Sequence, residues 1–122
     1  MITLTLPYPP SVNNLYATVH GRKVLSKKGR EYHQAVVDSV TRQLPADQRF
    51  GARRVGYTVQ AFPPDRRRRD LSNLVKALED ALTYAKVWDD DSQVDRLTVV
   101  RGAPAAGGSV FIEIDECVEL LS

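Results

Sequence analysis

Ile2, Leu4 and Leu6 alternate with Thr3 and Thr5, the period-two pattern of a strand with one face toward a core. Pro7, Pro9 and Pro10 end it, since proline cannot donate to a ladder. From Ser11 to Lys28 the pattern dissolves into polar, irregular sequence. Tyr32, Val36, Val40 and Leu44 then recur every four residues, which predicts an amphipathic helix from about Lys27 to Leu44, stopped by Pro45. Alternation returns at Val55, Tyr57, Val59 and Ala61, a second strand closed by Pro63 and Pro64. Leu71, Leu74, Val75, Leu78 and Leu82 form the apolar stripe of a second helix from about Leu71 to Ala85. Asn73, Lys76, Asp80 and Thr83 share its polar face. Leu97 and Val99 mark a third strand and Val110, Ile112 and Ile114 a fourth, with the Gly-rich APAAGG between them reading as a hairpin connection.

The order is therefore β-α-β-α-β-β, which predicts an α+β fold: a small mixed or antiparallel sheet with two helices packed on one face. At 122 residues the chain, 1–122, is expected to form one domain with a core but little to spare. No apolar run approaches the ~20 residues needed to span a bilayer, so no membrane association is expected. MITLTLPYPP lacks a basic stretch leading into an apolar one, so a secretory signal is not expected. The single cysteine, Cys117, excludes an intrachain disulfide and fits a cytoplasmic location.

Charge changes the picture. The formal net charge is only +2, yet it is divided unevenly. Residues 1–69 carry 13 Lys/Arg against 4 Asp/Glu, and residues 70–122 carry 4 against 11. A basic half suits a polyanion; the acidic half is of no use to a module that only binds one.

The two tendencies collide in PPDRRRRDLSNL, residues 63–74, where four arginines run into Asp70. Asp70 stands where a helix N-cap is expected, and capping alone would explain it. WDDDSQV, residues 88–94, reads equally as a solvated acidic turn. The start of the second helix and the start of the third strand can meet, however, if helix and strand pack side by side. Carboxylates gathered there would suit Mg2+, a hard cation that takes oxygen ligands and keeps several waters. Such an ion beside a phosphodiester polarises a phosphoryl oxygen and orients water. The arginine run would neutralise and position the phosphate backbone. Lys76, one to two turns beyond Asp70, is placed to reach the same phosphate.

PPDRRRRDLSNLVKALEDAL followed by WDDDSQV resembles the RusA family of Holliday-junction resolvases, small Mg2+-dependent endonucleases often encoded by prophages. PYPPSVNN and GRKVLSKKGREY are similar to the family's N-terminal segments, so the resemblance covers most of the chain. It implies a homodimer that cuts four-way junction DNA by paired nicks in recombination and repair, with Mn2+ as a substitute for Mg2+. Asp70 and Asp91 match the family's metal-binding aspartates, Asp90 stands beside them, and Lys76 matches its catalytic lysine. The DNA surface would comprise Arg66, Arg67, Arg68, Arg69 and Asn73, with Asn13, Asn14, Arg22, Lys23, Lys27, Lys28 and Arg30 from the first half.

The chain departs from the pattern at Ser72, where the family carries a further aspartate. A neutral hydroxyl removes one negative charge from the ligand set. Water can fill the position with Asp89 or Asp90 supplying charge, catalysis can be weakened with junction binding retained, or Ser72 can serve a relative with altered chemistry. The alternatives are thus a junction-binding protein without catalysis and a metal-dependent nuclease for other branched nucleic acids. Tyr8, Tyr16 and Trp88 can stack on bases, although Trp88 reads better as core. His20 reads as a solvated loop residue and His33 as a surface one.

Overall fold

The computed structural model of the chain describes residues 1–118, apart from the side chain of Val12. Its elements are β1 (Ile2–Pro7), α1 (Val12–Leu15), β2 (Tyr16–Val19), β3 (Arg22–Leu25), α2 (Lys27–Gln43), β4 (Val55–Phe62), α3 (Leu71–Tyr84), β5 (Val94–Arg101) and β6 (Ser109–Glu116). Short 3-10 turns occupy Ala46–Gln48 and Asp91–Gln93. The four long strands make a mixed sheet in the order β1-β6-β4-β5. β6 runs antiparallel to both β1 and β4, and β5 runs parallel to β4. Among the described residues no helix is long and apolar enough to cross a membrane.

Alternation decides which side of the sheet the helices take. Leu4, Leu6, Val55, Tyr57, Val59, Ala61, Val110, Ile112 and Ile114 are all buried, while Thr3, Thr5 and Gln60 on the other face are exposed. α2 covers β1 and α3 lies beside it, contributing Leu74, Ala77, Leu78, Ala81 and Leu82 to the same core. Each fully buried leucine or isoleucine is worth about 1.5–3 kcal/mol relative to exposure. The Trp88 ring packs 5.5 Å from that of Tyr57, and its indole N–H donates to Thr83 Oγ1 at 2.8 Å. Trp88 is a core residue, as its sequence context suggested.

Two expectations need correction. The segment 102–108 is not a hairpin, because β5 and β6 do not pair: β4 lies between them. The crossover through α3 places β5 parallel on the outer edge of β4, so the chain must pass the end of β4 to return antiparallel on its other side. Gly107 and Gly108, at φ 78° and 69°, give the reversal the left-handed backbone it needs. Nor is Ser11–Lys28 irregular throughout. It folds into α1 and a hairpin in which Tyr16 pairs with Leu25 and Val19 with Arg22. His20 and Gly21, at φ 52° and 75°, form a two-residue turn of the kind that matches hairpin twist. Most hairpin side chains are exposed, so no face needed an apolar alternation that would have announced the strands.

The hairpin is tied down where it enters α2. Ser26 N–H donates to the Leu15 carbonyl at 2.8 Å, and Ser26 Oγ caps the helix by accepting from Gly29 N–H at 3.0 Å. A Cβ on Gly29 would lie 2.3 Å from the Leu15 carbonyl oxygen, so only glycine permits this approach. Gly to Ala inside a helix ordinarily adds up to ~1 kcal/mol. At Gly29 the sign should reverse: Gly29→Ala is expected to cost about 1–3 kcal/mol, as overpacking does. Thermal unfolding of the variant checks this, and a raised melting temperature would show that the contact yields freely.

Candidate functional site

Beyond β4, Pro63 and Pro64 lead into a turn that the arginines and one aspartate organise. Asp65 accepts from the Arg67 backbone N–H at 2.9 Å, from Arg67 Nε and Nη2 at 3.2 and 3.1 Å, and from Arg69 Nη1 at 2.6 Å. These contacts, that of Arg69 foremost, hold the Asp65 carboxyl far below the usual carboxylate range. The Arg69 guanidinium lies 5.7 Å from the centre of the Tyr8 ring. The four arginines therefore do not act alike. Arg67 and Arg69 are held by Asp65, while Arg66 and Arg68 make no ion pair or hydrogen bond among the described residues.

Asp70 ends this turn as the N-cap of α3, its Oδ1 accepting from the Ser72 N–H at 2.8 Å. The capping role read from sequence is real, and it fixes the carboxylate at a positive helix end. A cleft of about 1070 Å³ opens here, lined by Arg67, Arg68, Arg69, Asp70, Asn73 and Asn14, together with Tyr8 and Arg101. Ser72 and Lys76 are exposed on α3 nearby. Arg66 and Asn13 are exposed but outside the cleft lining, and the remaining basic residues belong to the hairpin and the start of α2. There Arg22, Lys23, Lys27 and Lys28 are exposed, Lys23 Nζ lies 4.7 Å from the Tyr16 ring centre, and Arg30 Nη1 donates to the Leu25 carbonyl at 3.0 Å.

The acidic run lies elsewhere. α3 ends with Lys86 N–H bonded to the Thr83 carbonyl and Val87 N–H to that of Leu82, both at 3.1 Å. Lys86 takes the left-handed conformation, φ 62°, that this termination requires. The following turn is stitched by the buried Gln93. Its Oε1 accepts from Asp89 and Asp90 N–H at 3.1 and 2.9 Å, and its Nε2 donates to the Gly51 and Arg53 carbonyls at 2.7 and 2.5 Å. Asp90 caps the turn, accepting from the Ser92 hydroxyl and backbone N–H, and its pKa is lowered by those bonds. Asp91 projects into a smaller cleft of about 410 Å³ with Asp80, Tyr84, Tyr16 and His33.

Asp70 and Asp91 consequently stand at opposite ends of α3. The helix has 14 residues and spans ~21 Å at 1.5 Å per residue. Among the described residues of one chain, no three His, Cys, Asp or Glu side chains converge to hold a metal. Their expected meeting fails for a topological reason. A strand that returns beside a helix brings its last residue, not its first, to the helix start: Arg101 Nη2 donates to the Arg69 carbonyl at 2.9 Å.

The acidic end contains residues whose roles the sequence did not reveal. The buried Tyr57 hydroxyl donates to Glu79, and the Tyr16 hydroxyl donates to Asp80. Burial, then Asp80, pushes the Tyr16 phenol up to about 12. His33 is buried, not superficial, with its ring 5.0 Å from that of Tyr84 and Nδ1 without a hydrogen bond among the described residues. α2 faces α3 as well as β1, so its buried arc is wider than the spacing of Tyr32, Val36 and Val40 suggested. Burial lowers the His33 pKa, partly offset by Asp80.

Burial pushes the Glu79 carboxyl up, the Tyr57 hydrogen bond pulls it down, and Asp91 and Asp80 push it up again. A carboxyl whose pKa is raised on folding favours the folded state when protonated. That stabilisation is complete below its unfolded pKa of about 4.3 and is lost as pH rises through the raised folded value. Glu79→Gln retains an acceptor for Tyr57 and removes the charge. It is expected to raise the melting temperature in chelator at about pH 7, with the gain vanishing below about pH 4. Paired melting curves across that range check it.

The family profile described as Endodeoxyribonuclease RusA matches residues 7–115. The chain is 40% identical over 111 residues to the crossover junction endodeoxyribonuclease rusA of Enterobacteria phage HK97, covering 91% of each chain. It is 40% identical over 114 residues to the crossover junction endodeoxyribonuclease RusA of Escherichia coli strain K12, covering 93% of each. A third relative, from Enterobacteria phage 82, is 41% identical over 115 residues, covering 93% of this chain and 92% of its own. With an α+β domain, an arginine cleft around Asp70 and this similarity along nearly its whole length, the chain belongs to the RusA family of endodeoxyribonucleases.

Proposed function

We propose that this chain is a metal-dependent endonuclease that resolves four-way DNA junctions as a twofold dimer, in recombination and repair in the cytoplasm. The observation that carries the reading is Asp70 standing as the one carboxylate in the wall of a cleft whose other charged side chains are all arginines. A carboxylate in a phosphate-binding cleft repels the ligand unless a cation joins them. Mg2+, or Mn2+ in its place, is that cation, and the carboxylate donors suit it.

The described residues of one chain do not gather enough ligands. The separation of Asp70 and Asp91 along α3 supports a composite site, in which Asp70 of one protomer and Asp91 of its partner share an ion. A closed twofold arrangement makes two such sites at once, and two matched nicks are what a junction of near-twofold symmetry requires. Bound there, the ion would polarise the phosphoryl oxygen and activate water. The protein's own residues do the rest. Arg66 and Arg68, without an ion pair or hydrogen bond among the described residues, neutralise backbone phosphates, and Arg22, Lys23, Lys27, Lys28 and Arg30 receive a second arm. Asn73, Asn13 and Asn14 supply neutral hydrogen bonds to the backbone, and Lys76, exposed beyond Asp70, offsets charge on the scissile phosphate. Asp90, occupied as a cap, lends charge and no ligand bond.

Mixing tests the composite site. Asp70→Asn and Asp91→Asn homodimers should each bind junctions without cutting, but exchanged heterodimers regain one intact site and should nick one strand. No recovery would place both ligands in one chain or elsewhere, and a protein that sediments as a monomer on DNA would remove the reading. Arg68→Ala should reduce the slope of log affinity against log salt by ~0.9. An unchanged slope would mean that Arg68 merely solvates the turn.

Ser72 is exposed at a helix start, where an added carboxylate is favourable. Ser72→Asp should lower the Mg2+ concentration needed for half-maximal cleavage. If the parent binds junctions without cutting and only Ser72→Asp cuts, the chain is a junction-binding protein. Slower cutting by a folded Ser72→Asp variant would show a site adapted to serine.

A further inference from the structure

Arg101 has no part in that reading, yet it occupies the position that Asp91 was expected to take. It is the last residue of β5 and pairs with Ala61 of β4, on the face that carries the helices. Its Nη2 donates to the Arg69 carbonyl at 2.9 Å. That carbonyl belongs to the peptide whose N–H is that of Asp70. From 64 to 69 no backbone group bonds to another backbone group among the described residues; the nearest such bonds are Ala105 N–H to the Pro63 carbonyl and Leu74 N–H to that of Asp70. The approach to α3 is therefore held by side chains alone. Asp65 grips Arg67 and Arg69 from within the turn, and Arg101 holds it from the sheet.

We propose that Arg101 is a positioning residue: it locks the Arg69–Asp70 peptide against the end of β5 and so fixes the Asp70 carboxylate at the cleft wall. Helix starts fray when nothing outside them holds the chain. A carboxylate that must meet a cation with a partner's ligand tolerates little such play. A guanidinium reaching from a hydrogen-bonded strand supplies an anchor with limited freedom, which a lysine ammonium on its flexible stem does not match. The competing role is direct phosphate contact, since Arg101 also lines the cleft. The two roles differ in what they move.

The inference rests on Asp70 acting as a metal ligand, so Asp70→Asn is carried as a parallel arm. Arg101→Met should speed amide exchange at Ser72 and Leu74, whose N–H groups bond to Asp70, in metal-free protein. It should raise the Mg2+ concentration for half-maximal cleavage and slow cleavage by roughly 10–100-fold, the usual effect of losing a partner that orients a metal ligand. The salt slope of junction binding should stay unchanged. Arg101→Lys keeps the charge and should give intermediate exchange; it serves as the test if Arg101→Met fails to fold. A salt slope reduced by ~0.9 with exchange and Mg2+ dependence unaltered would make Arg101 a phosphate contact and overturn the proposal. Unaltered exchange in a folded variant would also overturn it. If Asp70→Asn cuts like the parent, the metal reading falls; if it is inactive while Arg101→Met behaves as parent, only the role of Arg101 falls.

Discussion

The parallel pairing of β4 with β5 governs everything else in this molecule. Two parallel neighbours cannot be joined by a tight turn, so the chain must cross back along the sheet, and α3 is that crossing. Its length then fixes what can meet. The helix start abuts the end of β5, and the helix end abuts the start of β5. Asp70 is thereby assigned to Arg101 and the arginine turn, and Asp91 to Glu79, Asp80 and the base of the hairpin. No rearrangement of side chains brings the two aspartates together, because the separation is that of a whole helix.

The same constraint explains how so much charge of each sign coexists in a small domain. The arginine turn is concentrated at one end of α3 and the acidic run at the other. Each then manages its own repulsion locally. Asp65 pairs with two of the four consecutive arginines, offsetting one of their two charges, and leaves Arg66 and Arg68 without an ion pair among the described residues. At the acidic end, Asp90 is spent on capping, Tyr16 and Tyr57 donate to Asp80 and Glu79, and Gln93 holds the backbone. Asp91 keeps company with these groups, and its side chain makes no hydrogen bond among the described residues.

β1, β4, β6 and both long helices were legible because each presents one apolar face, so period and burial agree along Leu4, Tyr57, Leu78 and Ile112; β5 was read from Leu97 and Val99 although this edge strand has no buried residue. The hairpin of β2 and β3 was not legible, since its strands are exposed and short. Strand pairing was not legible either: APAAGG has the composition of a hairpin loop, and only the completed sheet shows that β4 intervenes. Motif spacing singled out Asp70, the arginines and the acidic run. It could not give their distances, nor the division of the arginines by Asp65. Arg101 left no local trace at all, because its hydrogen bond to the Arg69 carbonyl reaches across 32 positions.

Under the proposed composite site a single chain is an incomplete enzyme, and that incompleteness has a use. A nuclease whose single chain held a finished site would cut whatever phosphodiester reached it, duplex included. When ligands are completed only across a twofold axis, both sites form together or not at all, and both are placed by the same symmetry as the substrate. Selectivity for a junction and coordination of its two cuts then follow from one geometric fact. Under this arrangement precision at each carboxylate matters more than in a self-contained site, because errors from two chains add. A turn with no backbone-to-backbone bonds among the described residues, fastened by Asp65 on one side and by the end of the parallel strand on the other, meets that need.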